Sequence, residues 1–337
     1  MKTEILSDKS LNDLALAAEI LKNGGLVAFP TETVYGLGAN ALNGNAVTNI
    51  FKAKGRPQDN PLIVHLANPD DAEKYVYTSE LFYKIAKRFM PGPITVIMPK
   101  KDVICEEVSC GLDTIGIRVP VYAPARELIR IAGVPIAAPS ANISGRPSPT
   151  TADHVIEDMN GKIEAILCGD DCSVGVESTV VKIMGEDALI ICRPGGVTKE
   201  MLEEVCSSVT VDPAVLEKFD GKPVSPGMKY RHYAPKASLT VLVGTEEQFC
   251  EFLKYKSGYG ILCFDEDSKL LEYENSMSLG ASSDLDKQAN KLFACLRAFD
   301  KRGAVKEIYA RMPDKEGVGL AVYNRLLKAA GFNVIVL

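Results

Sequence analysis

Three cationic side chains lie within five residues near the predicted end of a helix. They are Lys52, Lys54 and Arg56, and Asn60 and His65 follow shortly after them. Guanidinium forks and ammonium groups suit phosphate oxygens and carboxylates. The spacing therefore predicts an anion-binding clamp. The alternative is a solvated helix end, where cations interact favourably with the helix dipole.

Loops rich in glycine and hydroxyl groups follow predicted strands. Residues 30–38, Pro-Thr-Glu-Thr-Val-Tyr-Gly-Leu-Gly, come directly after the first strand, and Ser140-Ala141-Asn142 follows a later one. In open α/β sheets ligands bind beyond the carboxyl ends of strands, so we expect these loops to meet at one sheet edge. Ser140 and Asn142 can face one ribose or phosphate together, and the alternative is an ordinary turn. The segment at residues 30–38 is not a Walker A loop, because no Gly-Lys-Ser/Thr follows.

An arginine interrupts an apolar run at residues 114–120, Thr-Ile-Gly-Ile-Arg-Val-Pro. Burying Arg118 without an anionic partner is costly, so the pattern predicts either an internal salt bridge or a ligand contact. Glu177-Ser178-Thr179 and Arg193-Pro194-Gly195 also lie at predicted strand ends. The sequence shows neither a Ser-His-Asp order nor a metal-ligand cluster. A site rich in cations and poor in general bases suits nucleotidyl or phosphoryl transfer, which relies on positioning and electrostatic stabilisation.

The elements that must position these groups alternate between helical patterns and short apolar runs. Leu14, Ala18 and Leu21 fall at helical spacing, for example. Strands interleaved with helices predict an α/β sheet, and strands as closely spaced as the last two predict that the sheet is mixed. The predicted strands are 26–29, 62–66, 94–98, 115–119, 136–138, 164–167, 179–183 and 189–191.

Prolines interrupt this pattern between residues 205 and 238, which predicts an ordered linker. A second α/β unit follows. The expected organisation is a mixed-sheet catalytic domain at 1–210, a linker or lid at 211–238 and a smaller Rossmann-like, doubly wound domain at 239–337. The predicted elements of the last domain are strands near 239–243, 260–264, 308–310 and 334–337, and helices near 246–256, 284–301 and 318–330.

Composition limits the class of protein. The chain has 337 residues, 46% of them hydrophobic, and a formal charge of −6, which disfavours a dedicated nucleic-acid clamp. Nine scattered cysteines without a C-x-x-C pair, and only three histidines, predict neither a structural zinc site nor a disulfide framework. The sequence has no signal-peptide pattern and no apolar run of membrane-spanning length, so we expect a cytoplasmic protein without membrane contact.

These motifs, in this order, resemble the YrdC-like family, and the resemblance covers essentially the whole chain. It implies a YrdC-like twisted mixed α/β sheet domain followed by the Rossmann-like one. It also implies formation of L-threonylcarbamoyladenylate and pyrophosphate from L-threonine, bicarbonate and ATP, for the threonylcarbamoyl-adenosine modification of tRNA. The matching segments are Pro30–Leu37, Lys54-Gly55-Arg56, Ser140-Ala141-Asn142, Arg193-Pro194-Gly195 and the linker signature Ser225–Pro235 of the two-domain members.

By this resemblance, Lys54 and Arg56 carry catalysis, magnesium accompanies ATP, and bicarbonate is a co-substrate. The product would pass on through transient contact with tRNA threonylcarbamoyl-transfer proteins, without stable nucleic-acid binding. The residues implied to bind L-threonine are Thr33, His65, Arg118, Ala138 and Ser178. Those implied to bind ATP are Arg56, Asn60, Thr114, Ser140, Ser148 and Arg193. The residue patterns themselves add four more predicted ATP contacts, namely Lys52 in the cation cluster, Asn142 beside Ser140, and Arg231 and Tyr233 in the linker.

Two alternatives stay open. One is an RNA-binding or ribosome-maturation module of the YrdC-like fold, against which the acidic composition argues. The other is a carbamoyl-transfer domain like those of hydrogenase maturation proteins, whose zinc-finger and acylphosphatase segments have no counterpart in this sequence. We also expect the linker to close over the nucleotide as a lid, because its aromatic residues need a surface to pack on. The alternative for the linker is a structural strap between the domains.

Overall fold

The computed structural model describes residues 1–217, 232–256, 258–271, 275–303 and 305–337. Within this part, the chain forms two compact units. The first unit holds the described residues up to 217, apart from two short segments, 145–147 and 174–176. Those segments belong to the second unit, together with the described residues from 232 onwards.

The first unit combines strands and helices that alternate along much of the chain. Its strands are β1 Glu4–Ser7, β2 Val27–Phe29, β3 Gly36–Asn40, β4 Ile63–His65, β5 Ile94–Pro99, β6 Thr114–Arg118, β7 Ile136–Ala138, β8 Ala165–Cys168, β9 Thr179–Ile183, β10 Ala188–Arg193 and β11 Ser208–Val211. Its helices are α1 Leu11–Lys22, α2 Gly44–Lys54, α3 Glu80–Phe89, α4 Glu106–Ser109, α5 Ala123–Ala132, α6 Ala152–Met159 and α7 Lys199–Glu203, with 3-10 turns at Pro69–Lys74 and Pro213–Val215.

One mixed sheet runs through this unit, in the order β1-β8-β2-β3-β7-β4-β6-β5-β9-β10-β11. In its middle, β4 and β6 are parallel, whereas β7 is antiparallel to β4 and β5 is antiparallel to β6. The neighbouring strands β9 and β10 form an antiparallel pair. The expectation of a mixed sheet is therefore confirmed.

The register of the central strands aligns polar residues that are far apart in the sequence. His65 pairs with Arg118, and Arg118 pairs with Thr95 on the other side of β6. Thr95 in turn pairs with Val180, which pairs with Arg193. Paired residues on neighbouring strands point to the same face of a sheet. A row of side chains therefore crosses five strands on one face.

Helices cover the two faces of this sheet unequally. On one face, α1 and α5 pack against β1, β8, β2 and β7 through residues such as Leu14. The opposite face packs against α2, α3 and α6, and Val64 and Ile117 belong to that core. Because side chains alternate along a strand, the next residues, His65 and Arg118, point to the α1 and α5 side. They lie beyond the strands that these two helices cover.

The segment that the sequence predicts as a glycine-rich loop is in part a strand. Gly36–Asn40 forms β3, which pairs with β2 and β7, so that only residues 30–35 form a loop. The reason is the packing of Phe29. Atoms of its ring lie 3.3 Å from the place of a Cβ at Gly36 and 2.9 Å from that of a Cβ at Gly38. Gly36 and Gly38 leave space for the Phe29 ring, and the spacing of the two glycines in the sequence does not predict this role.

The second unit is built on a parallel sheet. Its strands are β12 Ser238–Val243, β13 Gly260–Cys263, β14 Ser276–Ser278, β15 Glu307–Arg311 and β16 Val334–Val336, and its helices are α8 Glu246–Leu253, α9 Asp265–Leu271, α10 Leu285–Arg302 and α11 Gly319–Ala330. The strand order is β14-β13-β15-β12-β16, and every described pair is parallel. This confirms the expected smaller α/β domain. Among the described helices of the chain, none is long and apolar enough to cross a membrane.

Gly195 is a position where the fold leaves no room for a side chain. A Cβ there would lie 2.4 Å from the backbone nitrogen of Thr179 and 2.5 Å from the carbonyl oxygen of Glu177. We expect Gly195→Ala to lower the free energy of unfolding, measured in urea, by about 1–3 kcal/mol, because backbone beside β9 must move. Gly185→Ala is the matched control, since nothing lies within 4 Å of its Cβ position. Equal unfolding free energies for the two variants would contradict this expectation.

Candidate active site

The first group of polar side chains forms around Arg118 at the end of β6. Its Nη2 donates hydrogen bonds to Glu32 Oε1 at 2.9 Å, Thr33 Oγ1 at 2.7 Å and Thr31 Oγ1 at 3.3 Å. Arg118 and Glu32 are both only 4% exposed. Arg118 thus forms the internal salt bridge that was one of the two alternatives predicted for it. Its contact with Thr33 also brings together two of the residues implied to bind L-threonine.

His65 lies next to this group at the end of β4. Its Nδ1 lies 3.1 Å from the carbonyl oxygen of Ile63, and its ring meets the ring of Phe29 edge-on at 6.1 Å between centroids. Burial, together with the positive charge of Arg118, lowers the pKa of His65 from 6.5 to about 3. The imidazole is therefore neutral at physiological pH. A neutral ring offers one nitrogen that donates a hydrogen bond and one that accepts.

A second group connects β5, β9 and β10. Ser178, just before β9, has its Oγ 2.8 Å from Thr95 Oγ1. Arg193 donates from Nε to the carbonyl oxygen of Ser178 and from Nη2 to its Oγ, both at 3.1 Å. The structure therefore places Arg193, implied to bind ATP, beside Ser178, implied to bind L-threonine. Thr95 escaped the sequence analysis, although a hydroxyl between Ile94 and Val96 in an apolar run was the available signal.

Lys54 is the centre of a third group. Its ammonium donates to the carbonyl oxygens of Ser140 at 2.5 Å and Asn142 at 2.6 Å, and the Ser140 hydroxyl donates to Asn142 Oδ1 at 2.5 Å. Lys54 is only 2% exposed, so the solvated helix end is wrong for this residue. The helix ends there because Gly55 adopts a left-handed conformation, with φ of 61°. Lys54 therefore fixes the position of the Ser140–Asn142 segment.

Arg56 and Asn60 lie close to the start of β4. Arg56 Nη2 donates to the carbonyl oxygen of Asn60 at 3.0 Å. Asn60 is 1% exposed, and within the described residues its side-chain oxygen has no hydrogen-bond partner. Thr114 begins β6, which is parallel to β4, so it lies toward the same strand ends. The structure thus brings these three predicted ATP-binding residues to one end of the central strands.

The direction of β7 separates the predicted residues into two ends. Ala138 pairs with Ile63, and the chain then continues to Ser140 towards the start of β4. His65 and Arg118 lie at the opposite ends of β4 and β6. The two loops that the sequence analysis expects to meet do so, because Gly36 pairs with Ser140 and the N–H of Ala141 donates to the carbonyl oxygen of Tyr35 at 2.8 Å. His65 and Arg118 lie towards the other strand ends, because β7 is antiparallel to β4.

Two predicted ATP-binding residues lie apart from the groups described so far. Lys52 is exposed, and its ammonium lies 3.4 Å from Asn49 Oδ1 on the same helix. Residues two apart on a helix do not share a face, so Lys52 points away from Lys54. Ser148 is buried, and its hydroxyl donates to Glu177 Oε1 at 2.5 Å. Glu177 and Glu32 lie in segments that the sequence analysis singles out, but neither is among its predicted ligand-binding residues.

The two predicted linker contacts have different outcomes. Arg231 lies outside the described residues. Tyr233 belongs to the second unit, where its ring lies 5.1 Å from that of Phe293 and the guanidinium of Arg325 lies 5.6 Å from the Tyr233 ring centre. The tyrosine is 7% exposed. The aromatic residue of the linker therefore does find a surface to pack on, within the second unit.

This fold and these groups define a two-unit α/β protein whose mixed-sheet unit carries a small-molecule site of buried hydroxyl, imidazole, guanidinium and ammonium groups. A family model described as "Telomere recombination", for Sua5, YciO and YrdC proteins, matches residues 19–195. A second, described as "Threonylcarbamoyl-AMP synthase, C-terminal domain", matches residues 197–331. The chain belongs to the Sua5/YciO/YrdC family, which confirms the resemblance seen in its motifs.

Known relatives resemble the chain along almost its whole length. The threonylcarbamoyl-AMP synthase of Bacillus subtilis is 44% identical, over 98% of this chain and 97% of the relative. That of Pyrococcus abyssi is also 44% identical, over 96% and 95%. The crystal structure of P. abyssi Sua5 complexed with L-threonine superposes with a TM-score of 0.91 at 41% identity, covering 100% of both chains.

The lowered pKa of His65 predicts how stability depends on pH. The unfolded chain binds a proton on this histidine below about pH 6.5, whereas the folded chain binds it only near pH 3. Lowering the pH from 6.5 towards 3 therefore lowers the free energy of unfolding, and raising the pH through the same range increases it again. We expect His65→Asn, which cannot titrate, to lose less unfolding free energy than the parent between pH 7 and pH 4.5 in urea titrations. Parallel losses in the two proteins would contradict this.

Proposed function

We propose that this protein is a threonylcarbamoyl-AMP synthase. It joins L-threonine, bicarbonate and ATP into L-threonylcarbamoyladenylate and releases pyrophosphate, which makes it a nucleotidyltransferase. The names of its relatives and the L-threonine held by P. abyssi Sua5 support this function. The observation that carries it is the separation of the polar groups towards the two ends of β4 and β6.

The distance between these ends suits a reaction that joins two molecules. From Thr114 to Arg118, β6 spans about 13 Å at 3.3 Å per residue. An amino acid at the Arg118 end and a nucleotide at the Thr114 end can therefore lie along one strand with their reacting groups between them. Holding two reactants in such an arrangement supplies much of the rate enhancement of group transfer.

L-threonine belongs at the Arg118 end. The Thr33 hydroxyl and the neutral His65 imidazole can exchange hydrogen bonds with its side-chain hydroxyl. Its carboxylate suits Ser178, whose Oγ is held by Arg193. The charge of Arg118 is largely compensated by Glu32, so this end does not attract anions indiscriminately. The main chain at Ala138 pairs with Ile63 between the two ends, where it can meet the carbamate part of the intermediate.

ATP belongs at the other end, where Lys54 and Arg56 supply positive charge and the Ser140–Asn142 segment supplies hydroxyl and amide groups. Magnesium arrives as part of the substrate MgATP. Within the described residues no group of three or more His, Cys, Asp or Glu side chains could hold a metal ion. Magnesium is commonly held by phosphate oxygens and water with few protein ligands, so this donor set fits an ion carried by the nucleotide.

The reaction has two steps. The amine of L-threonine combines with bicarbonate to give a carbamate and a molecule of water, and a carbamate oxygen then attacks the α-phosphorus of ATP. The bond to the bridging oxygen breaks, and pyrophosphate leaves with the electron pair. Fixed cationic donors stabilise the charge that develops on the phosphoryl oxygens. Because a carbamate decomposes in water, the buried setting of these groups also protects it. The adenylate then passes to proteins that transfer threonylcarbamoyl to tRNA.

Pyrophosphate release is the direct test of this function. With MgATP, we expect release only when both L-threonine and bicarbonate are present, because the carbamate is the attacking group. The measurement is a coupled pyrophosphate assay in carefully degassed buffer, with identification of the adenylate by mass spectrometry. L-serine in place of L-threonine serves as the substrate control. Release at the full rate without bicarbonate would rule out the carbamate route.

Lys54 and Lys52 offer a matched pair of variants. We expect Lys54→Met to slow turnover on the order of 100-fold. It should also lower the unfolding free energy by about 1–3 kcal/mol, because two buried carbonyl oxygens lose a donor. Lys52→Met should change neither quantity, since the Lys52 ammonium is exposed. Steady-state kinetics and urea titrations measure both. Wild-type turnover by Lys54→Met, or equal loss in both variants, would remove the support for Lys54.

A further inference from the structure

Thr95 is a polar residue in a place where an apolar one is expected. It lies in the middle of the mixed sheet, on β5, and is 0% exposed. Its chain neighbours Ile94 and Val96 are also fully buried. A buried hydroxyl that lacks a partner is costly, so a threonine at this position calls for a hydrogen-bonding role.

The hydrogen bonds of Thr95 and Ser178 leave one hydrogen unused. Among the described residues, Thr95 Oγ1 has a single side-chain partner, Ser178 Oγ at 2.8 Å. Ser178 Oγ has that partner and the Nη2 of Arg193, which can only donate. The two hydroxyl groups carry two hydrogens, and only one of them lies between the two oxygens. The other is available to an acceptor outside this group.

Arg193 favours Ser178 as the hydroxyl whose hydrogen points to an outside acceptor. Its guanidinium donates to Ser178 Oγ and thereby polarises the serine hydroxyl, which becomes a stronger donor. If Thr95 also donates to Ser178, both lone pairs of the serine oxygen are occupied. The Ser178 hydrogen then has one direction left, away from both partners. Such a hydrogen suits a negatively charged acceptor.

We propose that Thr95 is a positioning residue for recognition of the substrate carboxylate. It donates its hydroxyl hydrogen to Ser178 Oγ and so orients the Ser178 hydrogen towards a carboxylate oxygen of the amino acid. This inference rests on the proposed function, since it takes L-threonine as the ligand of Ser178. Of the polar groups of L-threonine, only the carboxylate is an anion that accepts without donating.

The neighbouring strand fixes the rotation of the Thr95 side chain. A Cβ at Gly116 would lie 2.7 Å from Thr95 Cγ2, so the methyl group of Thr95 lies over the space left by that glycine. Gly116 is two residues before Arg118 on β6, and its pairing partner on β5 is Ile97. Packing of the methyl group thus holds the hydroxyl towards Ser178. Valine has the same shape as threonine and would keep this packing while removing the hydroxyl.

The test compares Thr95→Val with Thr95→Ser in the full-length protein. Calorimetry would measure the affinity for L-threonine and, separately, for L-threoninamide, in which the carboxylate is replaced by an amide. We expect Thr95→Val to bind L-threonine about 10-fold more weakly, the scale of one hydrogen bond to a charged group. The loss for L-threoninamide should be less than about 3-fold, and Thr95→Ser should restore most of the affinity for L-threonine.

A double-mutant cycle separates positioning from general damage. In a Ser178→Ala background, Thr95→Val should cause no further loss of L-threonine affinity, because it acts through the serine. Thermal unfolding would check that each variant is folded. If Thr95→Val does not fold, Thr95→Ala, which also removes the hydroxyl donor, carries the same comparison.

Each outcome decides the inference. Wild-type affinity for L-threonine in Thr95→Val would overturn it. Equal losses for L-threonine and L-threoninamide would overturn it as well, because a merely structural role affects both ligands alike. Absence of L-threonine binding by the parent protein would instead refute the proposed function, and the inference would fall with it.

Discussion

The buried ion pair between Arg118 and Glu32 is the interaction on which the site in the first unit depends. Both side chains are almost completely shielded from water, and either charge alone at this depth would be destabilising by about 3–5 kcal/mol. The pair joins loop 30–35 to β6, although the two residues are 86 positions apart in the chain. Arg118 also donates to the Thr33 hydroxyl, and on the sheet it pairs with His65 on β4 and with Thr95 on β5. The position of Arg118 therefore brings the Thr33 hydroxyl close to these two side chains.

Strand direction then determines how the remaining groups are distributed. With β7 antiparallel to β4, the Ser140–Asn142 segment leaves the sheet at the end opposite to His65. The cationic residues after α2 lie near the same end, since Arg56 donates to the backbone just before β4. Two chemically different surroundings therefore arise along one pair of strands. One is rich in hydroxyl groups and has its arginine paired with Glu32, whereas the other carries the cationic groups of Lys54 and Arg56, which suit phosphates.

The sequence predicts local features of this protein well and distant contacts poorly. Apolar runs locate strands such as 136–138 and 179–183 without error, because strand burial leaves a continuous apolar signature. The motifs also contain Thr33, Lys54 and Ser140, each of which takes part in one of the hydrogen-bonded groups of the first unit. The partnership of Arg118 with Glu32 and the role of Thr95 depend on register across several strands. The burial of Lys54 depends on two carbonyl groups more than 80 residues away, and no local pattern encodes it.

Lys54 holds the neighbouring segment mainly by its backbone, since its contact with the side-chain oxygen of Asn142, at 3.4 Å, is longer than its two bonds to carbonyl oxygens. Its ammonium contacts the carbonyl oxygens of residues 140 and 142, and every amino acid supplies such an oxygen. Arg193 likewise contacts the carbonyl oxygen of Ser178. These backbone hydrogen bonds can therefore hold the segments in place whichever side chains the segments carry. During evolution, the side chains that face a ligand can therefore be replaced one at a time while the buried cation keeps the backbone in position. Ligand selectivity can change in this way without loss of the fold.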